Sequence, residues 1–185
     1  MKLRTIALAT LLALQTVQVF GATISSSGKW SAVTENQHWA WKRESCRAAT
    51  LSTNKKSVLE VYSEKRDGVY GEPTVQFISS KKAYPVNFYR VKLVITSKGR
   101  EYTRNLRLVN RPGQDGDKRI AIANLAEREQ IVDLLKAGST VKATFYGSTN
   151  NRIIFRDQTF SLSGSSKTIS NMMSACNTKF NKIDL

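Results

Sequence analysis

The chain has 185 residues, which is enough for one domain with its own hydrophobic core. Its 29 Lys and Arg residues against 14 Asp and Glu residues give a formal net charge of +15, so its surface should attract polyanions. A single histidine, His38, excludes a zinc site built from several histidines, and no HExxH, CxxC or phosphate-binding glycine loop is present. The composition therefore predicts neither a metal nor another cofactor.

The first residues have the three parts of a secretory signal peptide. Lys2 and Arg4 form a basic start, an apolar run follows, and Gly21 provides a small residue before a cleavage point. We expect cleavage after Gly21, with cleavage after Ala22 as the second choice. Removing residues 1–21 takes away two basic and no acidic residues, which leaves a mature charge of +13.

The alternative to a cleaved signal is an uncleaved membrane anchor. Gln15 and Gln18 interrupt the apolar run, which is also short for a span, so the signal peptide is the preferred interpretation. We expect a periplasmic or secreted protein with one domain at residues 22–178, a flexible tail at 179–185 and no transmembrane span in the mature chain.

Export makes the two cysteines interpretable. Cys46 and Cys176 are the only pair, and an oxidising compartment would join them in a disulfide. Such a bond would contribute roughly 5 kcal/mol by chain-entropy arithmetic because the closed loop is long. The alternative is two buried free thiols.

After the signal the chain is mostly strand-like, apart from serines at 25–27 that suggest a mobile lead. At residues 90–96, Val91, Leu93 and Ile95 share one face, and a turn at 98–100 makes a hairpin with the next run. The predicted strands, in chain order, are at 28–34, 57–63, 73–79, 90–96, 102–109, 119–123, 139–147 and 151–162.

Two helices are predicted near the end of the chain. The first has Asn124 as N-cap, Glu127 in a capping-box position and Gly138 as a left-handed C-terminal residue. The second carries a core-facing stripe at helical spacing: Ile169, Met172, Met173 and Cys176. Short strands with two short helices predict an antiparallel β-sandwich.

The C-terminal segments "LLKAGSTVKATFYG" and "TFSLSGSSKTISNMMSAC" resemble the invasion-associated locus B family of bacterial envelope proteins. Trp30, Cys46, the strand at 71–77 and the hairpin at 91–108 are similar to that family as well. The resemblance implies a secreted Ig-like β-sandwich without established catalytic residues, in a family named for host-cell entry. This chain departs from the pattern at Ser165, where a large aromatic residue often follows the junction glycine.

Basic residues are concentrated in residues 81–111, where Glu101 is the only acid and Tyr84, Phe88, Tyr89 and Tyr102 are interleaved. The basic residues are Lys81, Lys82, Arg90, Lys92, Lys98, Arg100, Arg104, Arg107 and Arg111.

From this set, Lys92, Arg100, Arg104 and Arg107 are the candidate anion-binding residues, because arginines grip phosphates or sulfates while tyrosines pack on sugar or acyl surface. The expected partner is an anionic envelope component, such as a lipid phosphate, lipopolysaccharide or wall polymer, or else an envelope protein. Export argues against a nucleic acid. The alternative is an ordinary solvated sheet face.

Trp39 and Trp41 lie two residues apart, so in a strand they would point to the same side. Exposed, they would form a docking patch for protein or glycan. Buried, they would cover the disulfide.

The sequence as a whole predicts a non-enzymatic exported protein of the cell envelope with an interaction, adhesion or invasion-associated role. The alternative is an enzyme acting on the cell wall, or an inhibitor of such an enzyme. An inhibitor should carry a protruding loop, for which residues 65–72 and 111–118 are candidates.

Overall fold

The computed structural model describes residues 23–36, 44–80, 89–109, 118–147 and 153–180. Two helices lie late in the chain, where a 3₁₀ turn (Leu125–Glu127) leads into α1 (Arg128–Ala137), and α2 (Ser165–Ala175) follows the last strand. The strands are β1 (Thr23–Ser27), β2 (Trp30–Asn36), β3 (Glu44–Leu51), β4 (Ser57–Arg66), β5 (Val69–Tyr70), β6 (Thr74–Ser80), β7 (Arg90–Ser97), β8 (Arg100–Val109), β9 (Lys118–Ala123), β10 (Thr140–Tyr146) and β11 (Ile153–Ser161).

The described strands pair in one antiparallel sheet, in the order β1-β2-β3-β4-β6-β9-β8-β7-β10-β11, with the short β5 paired to the end of β4. The prediction of a mainly-β antiparallel fold with two short helices is confirmed. The Ig-like sandwich is not confirmed, because the pairing runs through these strands without dividing them into two sheets. Residues 25–27, expected to be a mobile lead, belong to β1, and β3 was not predicted.

One face of the sheet carries the hydrophobic core, because alternate residues of each strand point to it. On β7, Val91 and Leu93 are fully buried on this side. At its centre the Phe77 ring meets Phe145 and Phe160 edge to face, with ring centroids 5.1 and 5.9 Å apart. We call this side the inner face and the opposite side the outward face.

The edge of β11 that faces away from β10 is hydrogen-bonded to the first part of the fold. Open strand edges recruit other chains, so these bonds protect the end of the sheet. Three alternate carbonyls accept them: Thr159 from the Thr53 backbone N–H at 2.8 Å, Ser161 from the Trp30 indole N–H at 3.0 Å, and Ser163 from the Lys29 backbone N–H at 3.0 Å.

Two glycines allow the segment after β11 to lie this close to the β1–β2 turn. Gly28 and Gly164 both have positive φ, at 59° and 88°, and their backbones approach each other's neighbours closely. A Cβ on Gly164 would lie 1.8 Å from the Ser27 carbonyl oxygen, and one on Gly28 would lie 2.3 Å from the Ser163 carbonyl oxygen. The junction before α2 therefore requires glycine both for space and for backbone conformation.

The helix α1 ends differently from the prediction. Gly138 has φ −85° and ψ 171°, which is extended rather than left-handed. A glycine is needed at this position because a larger residue would not fit: a Cβ would lie 2.6 Å from the Leu162 side chain. Two hydroxyls satisfy the last carbonyls of α1: Ser165 donates to Leu135 at 2.7 Å, and Ser97 donates to Ala137 at 3.0 Å.

A disulfide joins Cys46 on β3 to Cys176 at the end of α2, as the sequence predicted, with a Cα–Cα distance of 6.4 Å. Both cysteines are buried. Beyond the disulfide, the Thr178 hydroxyl donates to the Gly71 carbonyl, and Phe180 packs against the core. The bond therefore fixes α2 across the inner face of the sheet.

Candidate anion-binding face

The register of the β7–β8 hairpin decides which basic side chains lie together. Its turn has two residues, Lys98 and Gly99, with φ of 50° and 74°, as in a type I′ turn. In this register Arg90 pairs with Arg107, and Lys92 lies two residues further along the same side of β7. Because the intervening residues of β7 are buried on the inner face, these three basic residues share the outward face.

The other two candidate anion-binding residues, Arg100 and Arg104, lie on the opposite side, so the four candidates do not share one face and Arg107, not Arg104, accompanies Lys92. Arg104 pairs with the buried Leu93, and Arg100 pairs with the buried Ser97. The Arg104 guanidinium donates to the Gln130 side chain on α1 at 3.3 Å. Side chains alternate along a strand, so the two-residue turn puts Arg104 and Lys92 on different faces.

β10 adds two residues that the sequence analysis did not include. Tyr146 pairs with Arg90, whose guanidinium carbon lies 4.5 Å from the centre of the tyrosine ring, and Lys142 pairs with Val94 on the same face. No local signal places β10 beside β7, because the two strands are distant in sequence. We use the name basic face for the outward side chains of Arg90, Lys92, Arg107 and Lys142.

The basic face consists of four cations on three neighbouring strands. Arg90 and Arg107 are directly opposite each other across β7 and β8, a like-charge arrangement that costs stability. Among the side chains that the structure describes, no carboxylate forms an ion pair with these arginines or with the two lysines. Glu101 is the only carboxylate in β7, β8 and β10, and it lies near the turn, paired with Thr96.

Arg90 is held by stacking on Tyr146 rather than by hydrogen bonds at its Nε. That Nε atom is buried and has no hydrogen-bond partner among the described residues. Stacking of a guanidinium on an aromatic ring fixes its plane while its outer N–H groups stay available.

A second cluster on the same outward face combines a carboxylate with a cation. Glu60 is 2% exposed, accepts a hydrogen bond from the Gln76 side chain and lies 3.6 Å from the Arg47 guanidinium. We call these three residues the paired cluster. One cross-strand row connects the two regions: Glu60, Gln76, Ile122, Arg107, Arg90 and Tyr146.

A third charged group lies where β3, β4 and β5 meet. The Lys65 ammonium donates to the Glu44 carboxylate at 2.6 Å, and this hydrogen bond and charge raise the pKa of Lys65. Burial, followed by the Glu44 charge, raises the pKa of Tyr70, whose ring centre lies 5.6 Å from the Lys65 ammonium.

Several predicted features lie outside the described residues: the signal peptide at 1–21, Trp39 and Trp41, and the basic residues Lys81, Lys82 and Arg111. The predicted loop at 111–118 lies outside them except for Lys118, which begins β9. Within the described segments, no group of three or more His, Cys, Asp or Glu residues is arranged to hold a metal ion. The helices in those segments are too short and too polar to span a membrane.

No protein-family model matches the chain. A search of curated proteins found no match either. Among solved structures, the chain is similar to the crystal structure of invasion associated protein B from Bartonella henselae, with a TM-score of 0.52 and 15% sequence identity. The match covers 83% of this chain and 97% of that one. The two proteins therefore have similar folds.

Proposed function

We propose that the chain is a non-enzymatic protein exported to the cell envelope, where it binds an anionic partner on the basic face. A buried disulfide is typical of proteins that fold in an oxidising compartment, and the N-terminal sequence has the pattern of a secretory signal. The structural neighbour is named for invasion, which supports an adhesion or invasion-associated role for this chain.

The observation that carries the proposal is the contrast within the outward face. In the paired cluster, the Arg47 guanidinium lies 3.6 Å from the Glu60 carboxylate. On the basic face, none of the four cations forms an ion pair with a carboxylate whose side chain the structure describes, and two of the cations are directly opposed. A bound anion would neutralise this repulsion, and the stabilisation gained would favour binding.

The test compares two double variants with the same change of charge. Replacing Lys92 and Arg107 by Gln should abolish the salt-sensitive binding of anionic vesicles, whereas replacing Arg100 and Arg104 by Gln should leave most of it. Vesicle co-sedimentation across a salt series measures both. Equal loss in the two variants, or unchanged binding in both, would contradict the proposal.

One observation favours the inhibitor alternative. The β4–β5 hairpin turns at Asp67 and Gly68, both with positive φ, and presents Val69 with 69% of its surface exposed. A tight hairpin with an exposed apolar side chain beside its turn is suited to entering a cleft in another protein. If the chain inhibits a peptidoglycan hydrolase, Val69→Asp should remove that inhibition without unfolding the protein.

A further inference from the structure

We propose that Arg90, Arg107 and Tyr146 form a grip for a phosphomonoester, namely the headgroup of an envelope lipid at a membrane surface. This proposal rests on the proposed function and names the chemistry recognised at the basic face. It separates the two arginines, which would select the ligand, from Lys92 and Lys142, which would contribute only charge.

The opposed arginines suit a ligand with more than one negative charge. Directly opposite residues on antiparallel strands have Cβ atoms roughly 5 Å apart, so both guanidiniums can reach one phosphorus centre. A phosphomonoester carries close to two negative charges near neutral pH and three terminal acceptor oxygens. A phosphodiester has one charge and fewer terminal oxygens, so it would relieve less of the repulsion between the guanidiniums.

Tyr146 restricts one of the two guanidiniums before the ligand arrives. The ring lies 4.5 Å from the Arg90 guanidinium carbon, and the Arg90 Nε is buried without a hydrogen-bond partner in the described part of the chain. Stacking therefore reduces the side-chain entropy that binding would otherwise cost, while the terminal N–H groups remain able to donate. Lys92 and Lys142 are not restricted in this way, because a lysine ammonium acts as a point charge on a flexible stem.

The apolar groups beside the arginines indicate a ligand at an amphiphilic surface. Ile153, paired with Tyr146 on the outward face, is 37% exposed, and Tyr89, which precedes Arg90 in the chain, is 53% exposed. The Tyr89 backbone N–H donates to the Tyr146 carbonyl at 2.7 Å, which connects the end of β7 to β10. Exposed apolar side chains next to cations are suited to the boundary between headgroups and acyl chains.

The experiment uses the mature full-length protein and vesicles that contain either phosphatidic acid, a phosphomonoester, or phosphatidylglycerol, a phosphodiester, at matched surface charge. We expect about tenfold tighter binding to phosphatidic acid, the change that one additional charge-assisted hydrogen bond supplies. Replacing Arg90 and Arg107 by Lys keeps the charge but removes the planar guanidinium with its fixed N–H donors, and should remove this preference. Replacing Lys92 and Lys142 by Gln should weaken binding to both vesicles and retain the preference.

The outcomes distinguish this proposal from the function on which it rests. Equal affinity of the unaltered protein for both vesicles, or a preference that survives Arg90→Lys and Arg107→Lys, would overturn the phosphomonoester grip and leave a general anion-binding face. Absence of binding to either anionic vesicle would overturn the proposed function as well. Circular dichroism of each variant confirms that its fold is retained.

Discussion

Arg47 and Arg107 lie on the same outward face of one sheet, but their surroundings differ. Arg47 lies 3.6 Å from a carboxylate that is almost completely buried and that also accepts a hydrogen bond from Gln76. Arg107 is exposed and directly opposite another arginine. The first arrangement compensates a buried charge, which a fold requires, whereas the second lowers stability, and the proposed anionic partner would offset that cost.

The largest effect should come from the disulfide, which fixes β3, the strand of Arg47, to α2. Replacing Cys46 and Cys176 by Ala should lower the free energy of unfolding by about 5 kcal/mol, since the bond closes a loop with a sequence separation of 130. Urea denaturation measures the loss. Equal stability of the variant and the unaltered protein under oxidising conditions would contradict this prediction. Under reducing conditions the two proteins should be equally stable, because neither then has the bond.

The same substitution at two arginines tests the comparison directly. Arg47→Met leaves the buried Glu60 without its cation and should cost about 3 kcal/mol. Arg107→Met removes an exposed charge and should change stability by less than about 0.5 kcal/mol. Similar denaturation midpoints for the two variants would mean that the two regions do not differ as described.

Adding Glu60→Gln to Arg47→Met sharpens this test. The glutamine keeps the shape and the hydrogen bond with Gln76 but removes the charge that lacks a partner. The double variant should recover about 1–2 kcal/mol relative to Arg47→Met alone. Additive losses in this double-mutant cycle would show that Arg47 and Glu60 do not stabilise each other.

Reversing one charge on the basic face should create a cation–carboxylate pair like the one in the paired cluster. Arg107→Glu places a carboxylate opposite Arg90 and should raise stability by about 0.5 kcal/mol. The same change should abolish binding to anionic vesicles. Arg100→Glu, on the other face of the strand, is the matched control, and equal loss of binding there would count against the assignment of faces.

The smallest effect is expected at the exposed pair of Glu44 and Lys65. A raised pKa of Lys65 means that its contribution to stability is present below pH 10.5 and is lost as the pH rises through the folded-state value. The raised pKa of Tyr70 acts in the same direction, because the unfolded chain ionises first, near pH 10.0. Above that pH, the melting temperature should therefore fall less steeply with rising pH for the double variant Lys65→Met and Tyr70→Phe than for the unaltered protein.

Local pattern predicted much of the fold. The alternation at Val91 and Leu93 identified β7, and the stripe through Ile169 and Met172 identified the buried side of α2. Cysteine number and the leader pattern were sufficient to predict the Cys46–Cys176 pair, because no other pairing within the chain exists. These features depend on periodicity or composition, which a single sequence contains.

The candidate site depended on register and on long-range pairing, and here local pattern was insufficient. Treating Arg100 as part of the turn left open which residues of β8 share a face with Lys92, and an error of one residue moves every side chain to the other side. Positive φ at both Lys98 and Gly99 defines a two-residue turn, and that turn separates Arg104 from Lys92. Tyr146 was missed because only the assembled sheet brings β10 beside β7.

The central claim is that the outward face of β8, β7 and β10 is the binding surface, and amide NMR of the isotope-labelled protein tests it most directly. On titration with bicelles that contain phosphatidic acid, the largest resonance changes should fall at Arg90, Lys92, Arg107 and Tyr146. The resonances of Arg100, Arg104 and Val69 should change little. Changes concentrated at those three residues, or spread evenly over the sheet, would contradict the account.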